Sequence, residues 1–223
     1  VIKRAILLVE GQTEERFVKD VLAPHFLSRG LYLTPTLLVT KKVKRGPNFK
    51  GGVTTFAKLE NDIRRVLKGA GDARVSTIID YYGLPKGTPG LSTLPQRASA
   101  GERVEHVEAA LDDHIGDPRF AAFLALHEYE AWLFADGHSL PAIVGASEGD
   151  ARTFAELGAS FETPEDIDDG PQTAPSKRIT RIFPGYRKVL HGPMVAGKIT
   201  LARIRQRCPH FGAWLDDLEG YAA

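Results

Sequence analysis

Residues Leu7–Phe17 read LLVEGQTEERF. An apolar run stops on a carboxylate, Glu10, and after one glycine a helix opens with two more acids, Glu14 and Glu15. The run Lys3–Val9 is wholly Ala, Ile, Leu and Val from Ala5 onward. Such continuity suits a strand buried on both faces, as in a parallel sheet. Gly11 permits a sharp turn, and Thr13 is a plausible N-cap for a helix to about residue 28, with a kink expected at Pro24.

Outward from this unit the pattern repeats. A second strand is expected over Leu31–Val43, and a helix capped by Thr54 or Thr55 to about Gly69. A third strand over Val75–Tyr81 carries Asp80 at its end. A long Gly- and Pro-bearing connection follows, Gly83–Gly101. Next come an amphipathic helix over Glu102–Ile115 and a fourth strand over Phe120–His127 that runs into Glu128. A helix is expected from Glu130, then short helices, then long helices over Ser176–Leu190 and Lys198–Glu219. The order βαβαβαβ predicts an α/β fold, a parallel-rich sheet with helices on both faces. Right-handed crossovers place the strand ends bearing Glu10, Asp80 and Glu128 on one edge, where ligands bind in such sheets.

Composition is ordinary for a globular chain, 43% hydrophobic and 26% charged. The single cysteine, Cys208, excludes an internal disulfide and fits a reducing compartment. Ala5–Val9 is too short for a secretory h-region, and no run approaches a membrane span. A cytoplasmic protein without a membrane partner is expected. Net charge is only +1, so no global basic field points to nucleic acid. Charge is segregated instead. His127–Gly170 holds eleven acids and one base; Lys177–Arg207 holds nine bases and no acid. This can build an acidic pocket beside basic walls. Separate solvated faces are the alternative.

Clustered carboxylates repel one another unless a cation joins them, and oxygen ligands suit Mg²⁺ or Mn²⁺. Glu10, Asp80 and Glu128 are the candidate ligands, and Glu14, one turn into the first helix, is placed to serve a second ion. A lone strand-end acid more commonly caps the next helix or faces water. Glu130 and Asp136 have the same open alternatives. His127 is not part of an HExxH pattern, and a satisfied buried histidine is the better expectation for it. Lys177, Arg178, Arg181 and Lys188 suit phosphate contacts, with a serine-led helix start favouring an anion. Lys41, Lys42, Lys44 and Arg45 suit a nucleic-acid backbone. A solvated basic helix face accounts for the first set equally well.

The opening VEGQTEERF resembles the first motif of Toprim domains, the α/β module of topoisomerases, primases and OLD-family nucleases. The wider set VEGQTEERFVKDVLAPHF, IIDYYGLPKGTPG, HEYEAWLFAD, APSKRI and RCPHFGAWLDDL resembles an uncharacterised bacterial family, domain-of-unknown-function family 4276, regarded as Toprim-like. The resemblance implies divalent metal at Glu10 and Asp80, extending to Glu14 by analogy with OLD-type nucleases. It also implies an ATPase partner in phage-defence or mobile-element settings. One departure stands out. Toprim domains usually carry D-x-D after the third strand, whereas this chain reads Asp80-Tyr81-Tyr82.

The expectation is thus a Toprim-like domain over residues 1–136 and a helical extension over 137–223 packed on the same core. The expected activity is that of a metal-dependent nuclease or phosphoryl-transfer enzyme acting on DNA or RNA. Glu10, Glu14, Asp80, Glu128 and Lys177 would be catalytic. Two rivals stand beside it: a non-catalytic metal- or nucleic-acid-binding subunit, and an enzyme for a small phosphorylated molecule.

Overall fold

A computed structural model describes residues 2–38, 55–167, 170 and 172–223. Three full strands, β1 (Lys3–Val9), β2 (Leu31–Leu37) and β3 (Arg74–Asp80), and two short ones, β4 (Phe120–Ala121) and β5 (Leu124–Ala125), form a sheet of order β2-β1-β3-β4, with β5 also on β3. Every pairing is parallel. From β1 the chain first steps one way to β2, then crosses back to β3 and beyond. The direction therefore reverses at β1, and the crevice beyond the ends of β1 and β3 is the sheet's switch point.

Burial on both faces, with period-two alternation between them, explains why β1 is apolar from Ala5 onward. Ala5, Leu7 and Val9 enter one core with Phe17, Trp132 and Phe211; Leu8 enters the other with Leu59, Ile63 and Val107. Helices α3 (Phe56–Gly69) and α4 (Ala100–Ile115) cover the second face. The first face is covered by α1 (Gln12–Phe17) and α2 (Ala23–Leu27), together with the C-terminal helices. These are α5 (Ser139–Val144), α6 (Glu148–Ala159), α7 (Pro175–Ile182), α8 (Lys188–Ile199), α9 (Leu201–Arg207) and α10 (Pro209–Ala222). One cluster of buried side chains runs from Ala5 to Leu218.

Proline chemistry accounts for most departures from the expected helices. The first helix contains a π-helical turn, Val18–Leu22, just before Pro24, whose ring excludes the ordinary bond to residue 20. The helices expected over 176–190 and 198–219 are each broken. Phe183 and Cys208, each preceding a proline, leave the helical region at φ/ψ of −122°/82° and −122°/88°. Thr200, at φ 79°, separates α8 from α9. The segment expected to be a helix from Glu130 is a buried 3-10 run, Tyr129–Ala135.

The fourth strand is shorter than expected because side chains replace part of its ladder. Thr77 Oγ1 donates to the Phe123 carbonyl at 2.8 Å and accepts the Phe123 N–H at 2.9 Å. The neighbouring N–H groups of Ala122 and Leu124 go to carboxylates on α4, Asp112 and Glu108, each at 2.7 Å. Burial pushes the Asp112 carboxyl up to about 6, opposed by the Ala122 N–H and reinforced by Glu108. A raised folded-state pKa contributes stability below the unfolded value, which is lost as pH rises through about 6. Asp112→Asn, which still accepts the Ala122 N–H, should raise the melting temperature at pH 7 by about 2–4 °C after allowance for solvent screening. The gain should vanish near pH 4. Thermal melts at the two pH values check this.

Among the described residues no helix is long and apolar enough to cross a membrane.

Candidate functional site

The register Val9↔Ile78 brings the ends of β1 and β3 level, so Glu10 and Asp80 meet at the switch point. The Asp80 N–H lies 3.4 Å from Glu10 Oε2. Gly11 is extended, and a Cβ on it would stand 3.1 Å from Glu14 Oε2. The glycine thus lets α1 turn close enough to return Glu14, 3% exposed, beside Glu10. After β5 the chain turns through His127, a buried non-glycine residue at φ 64°. Its carbonyl accepts the Tyr82 N–H at 3.3 Å. This turn delivers Glu128 and Glu130 to the same edge. Asp80 Oδ1 accepts the Tyr129 N–H at 3.0 Å, tying the two segments together.

The cation in this cluster comes from the C-terminal helices. Lys188 Nζ stands 3.0 Å from Glu130 Oε2 and 3.7 Å from both Glu14 Oε1 and Asp80 Oδ2. Burial works against the ammonium, but Asp80, Glu130 and Glu14 outweigh it and hold its pKa well above the ordinary lysine value. Burial raises the carboxyls of Asp80, Glu130 and Glu10; neighbouring acids add to each, and Lys188 partly offsets the rise. Five carboxylates, Glu10, Glu14, Asp80, Glu128 and Glu130, thus share one electrostatic neighbourhood with one ammonium.

The expected residues fall into four groups. Glu10, Glu14, Asp80 and Glu128 converge. Lys188, expected on a phosphate-binding helix face, lies among the acids instead. Lys177 is exposed at the start of α7. The anion at that helix start is the chain's own: Ser176 N–H donates to Glu128 Oε2 at 2.9 Å. Arg178 donates to the Thr173 carbonyl at 2.6 Å and lies over the Phe161 ring, while exposed Arg181 reaches the Gln172 carbonyl at 3.3 Å. Lys41, Lys42, Lys44 and Arg45 lie outside the described residues. Asp136 accepts the Ser139 N–H at 3.0 Å and the His138 N–H at 3.3 Å at the start of α5, a capping role. Glu130, left open by the sequence, is fully buried in the cluster. The signal for it was an acid set just before the apolar run AWLFA.

Tyr186, 8% exposed, donates to Glu130 Oε1 at 3.4 Å. Tyr129, wholly buried, has no hydrogen-bond partner for its hydroxyl among the described residues. Removing a buried hydroxyl that makes no bond costs little, whereas removing one that makes a bond leaves its partner unsatisfied. Tyr129→Phe should therefore be neutral or stabilising by up to about 1 kcal/mol, and Tyr186→Phe destabilising by about 1–2 kcal/mol. Urea denaturation of the two variants distinguishes them.

The donor set is hard oxygen, and its negative charge exceeds what Lys188 supplies; both features fit a divalent cation. Among the described residues, however, no three His, Cys, Asp or Glu side chains are closed into a metal-holding group. Lys188 stands between three of the acids. The fit is therefore best on the Glu10 side, where the carboxylate faces exposed Gly83.

No curated protein and no solved structure matches the chain. A family model, described as a domain of unknown function, DUF4276, matches residues 9–219. That span includes both the sheet edge with its acids and the helix that supplies Lys188, and the chain belongs to the DUF4276 family.

Proposed function

We propose that this chain is a divalent-metal-dependent phosphoryl-transfer protein of Toprim type, with a nuclease as the leading form. The observation that carries this is the gathering of five carboxylates, three of them around the Lys188 ammonium, at the switch point of a parallel sheet. Glu10 and Asp80 would hold Mg²⁺ or Mn²⁺, flanked by Glu14 and Glu128. When bound, the ion would lower the pKa of a water nucleophile and offset charge on a phosphoryl oxygen. The chain's own contributions are separate. Glu14 and Glu10 offer carboxylates that can take a proton from that water. Lys188 offers positive charge to a phosphate at the rim, and Lys177, Arg178 and Arg181 lie on the adjoining helix for a DNA or RNA backbone. An ATPase partner protein and a cytoplasmic setting belong to the same proposal; the latter is supported by a buried free thiol at Cys208.

A second reading is a non-catalytic subunit that binds metal or nucleic acid within such a complex. It is favoured by Tyr82 in place of a second acid and by the three contacts of Lys188 to the acids. Calorimetric titration with Mn²⁺, run beside incubation with single- and double-stranded DNA and RNA, separates the two. The nuclease reading expects saturable heat and cleaved product. Heat without cleavage of any substrate selects the binding subunit, and no heat at all sinks the metal reading.

A further inference from the structure

We propose that Lys188 is a tethered cation filling one of two ion positions on this rim, so that the site takes a single divalent ion, on the Glu10 side. The single-ion part rests on the proposed metal site; the role of Lys188 does not.

The ammonium lies 3.0 Å from Glu130 Oε2 and 3.7 Å from Glu14 Oε1 and from Asp80 Oδ2. Mg²⁺ bound by these oxygens would need them at about 2.0–2.1 Å, nearer than the 3.0–3.7 Å at which they surround the ammonium, and it would have to take the ammonium's place. An ion and the ammonium cannot occupy that space together. Lys188 is also the first residue of α8, where a cation opposes the helix dipole. Its place there is explained by the acids it faces, not by the helix it begins.

The packing holds ammonium and acids as one unit. Arg16 on α1 donates to the Val189 carbonyl at 3.0 Å. Gly192, one turn along α8, lies so close to Tyr129 and Thr13 that a Cβ would stand 3.1 and 3.2 Å from them. Both contacts join α8 to the segments that carry Glu14 and Glu130. Glu130 is 0% exposed and engages Lys188 on one oxygen and the Tyr186 hydroxyl on the other. It is a positioning residue for the ammonium. Glu10 has no ion pair of its own among the described residues, and exposed Gly83 leaves its carboxylate open. Glu10, with Glu128 beside it, is therefore left for a diffusible ion.

The test is the Mn²⁺ stoichiometry by calorimetry of the full chain and of Lys188→Met. One ion per wild-type chain and two per variant chain are expected. Removing a unit charge a few ångströms away should also tighten the first ion by tenfold or more, to order of magnitude. Two ions in the wild type overturn the proposal, as does one ion in both proteins. No ion in the wild type but one in Lys188→Met would defeat the metal reading of the natural chain while upholding Lys188 as the stand-in. No ion in either overturns both. Should Lys188→Met not fold, Lys188→Gln is titrated instead, since it keeps a donor for Glu130 without the charge.

Discussion

Glu10→Ala is expected to lower Mn²⁺ affinity by about 100-fold or more while leaving the fold as stable as before, or more so. Loss of a group that merely supports a metal site already costs about 10–100-fold, and Glu10 is proposed as a direct ligand. Stability should not follow affinity, because Glu10 contributes little to the folded chain. Its carboxylate takes one backbone N–H at 3.4 Å and otherwise sits half-buried, raised by burial and by repulsion from Glu14 and Glu128. A group whose pKa is raised on folding contributes stability only below the unfolded carboxylate range, and that contribution is lost as pH rises through the raised value. At pH 7 the alanine removes a repelling charge. Calorimetry with Mn²⁺ and thermal melts at pH 7 give the two readouts. If affinity is unchanged, Glu10 is not a ligand. If the melting temperature collapses, its role is structural.

Lys188→Met is expected to act in the opposite way, on stability first. It removes the ammonium among Glu14, Asp80 and Glu130 and leaves those buried acids without a counter-charge among the described residues. Breaking such a group typically costs about 3–5 kcal/mol. The lysine side chain keeps 39% of its exposure, so solvent reduces the expected loss to about 2–3 kcal/mol at pH 7. The loss should shrink on acidification. Asp80, Glu130 and Glu10 already have raised pKa values, and without Lys188 they rise further. Their protonation then restores stability as pH falls toward 5, while the wild type, with its ammonium in place, changes less. Urea denaturation at pH 5, 6, 7 and 8 checks the direction, and a loss that is flat with pH would place Lys188 outside the acid network. Mn²⁺ should stabilise the variant more than the wild type.

Glu10 at a strand tip was readable from the chain alone, because a continuous apolar run that ends on an acid before a glycine marks the point where a buried strand leaves the core and turns. Parallel pairing and the convergence of Glu10, Asp80 and Glu128 follow from alternation and crossover handedness, whereas the division of the expected fourth strand into β4 and β5 does not. Helix limits near Pro24, Pro184 and Pro209 were less legible. There the excluded hydrogen bond is local, but whether a proline kinks a helix or ends it depends on what packs around it.

The linear chain by itself determined the sheet, its two-sided burial and the acids at its edge, since these need only side-chain period and strand order. Tertiary structure alone decided which cation meets those acids. Lys177 and Lys188 are alike in sequence, both basic residues in the first turn of a helix. Only the close packing of Gly192 against Tyr129 and Thr13, and the bond from Arg16 to the Val189 carbonyl, bring the second of them to Glu14, Asp80 and Glu130. Contacts between residues dozens to well over a hundred positions apart leave no local periodicity to read. Electrostatic pairing in a buried cluster is set by those contacts, not by the charge count of a segment.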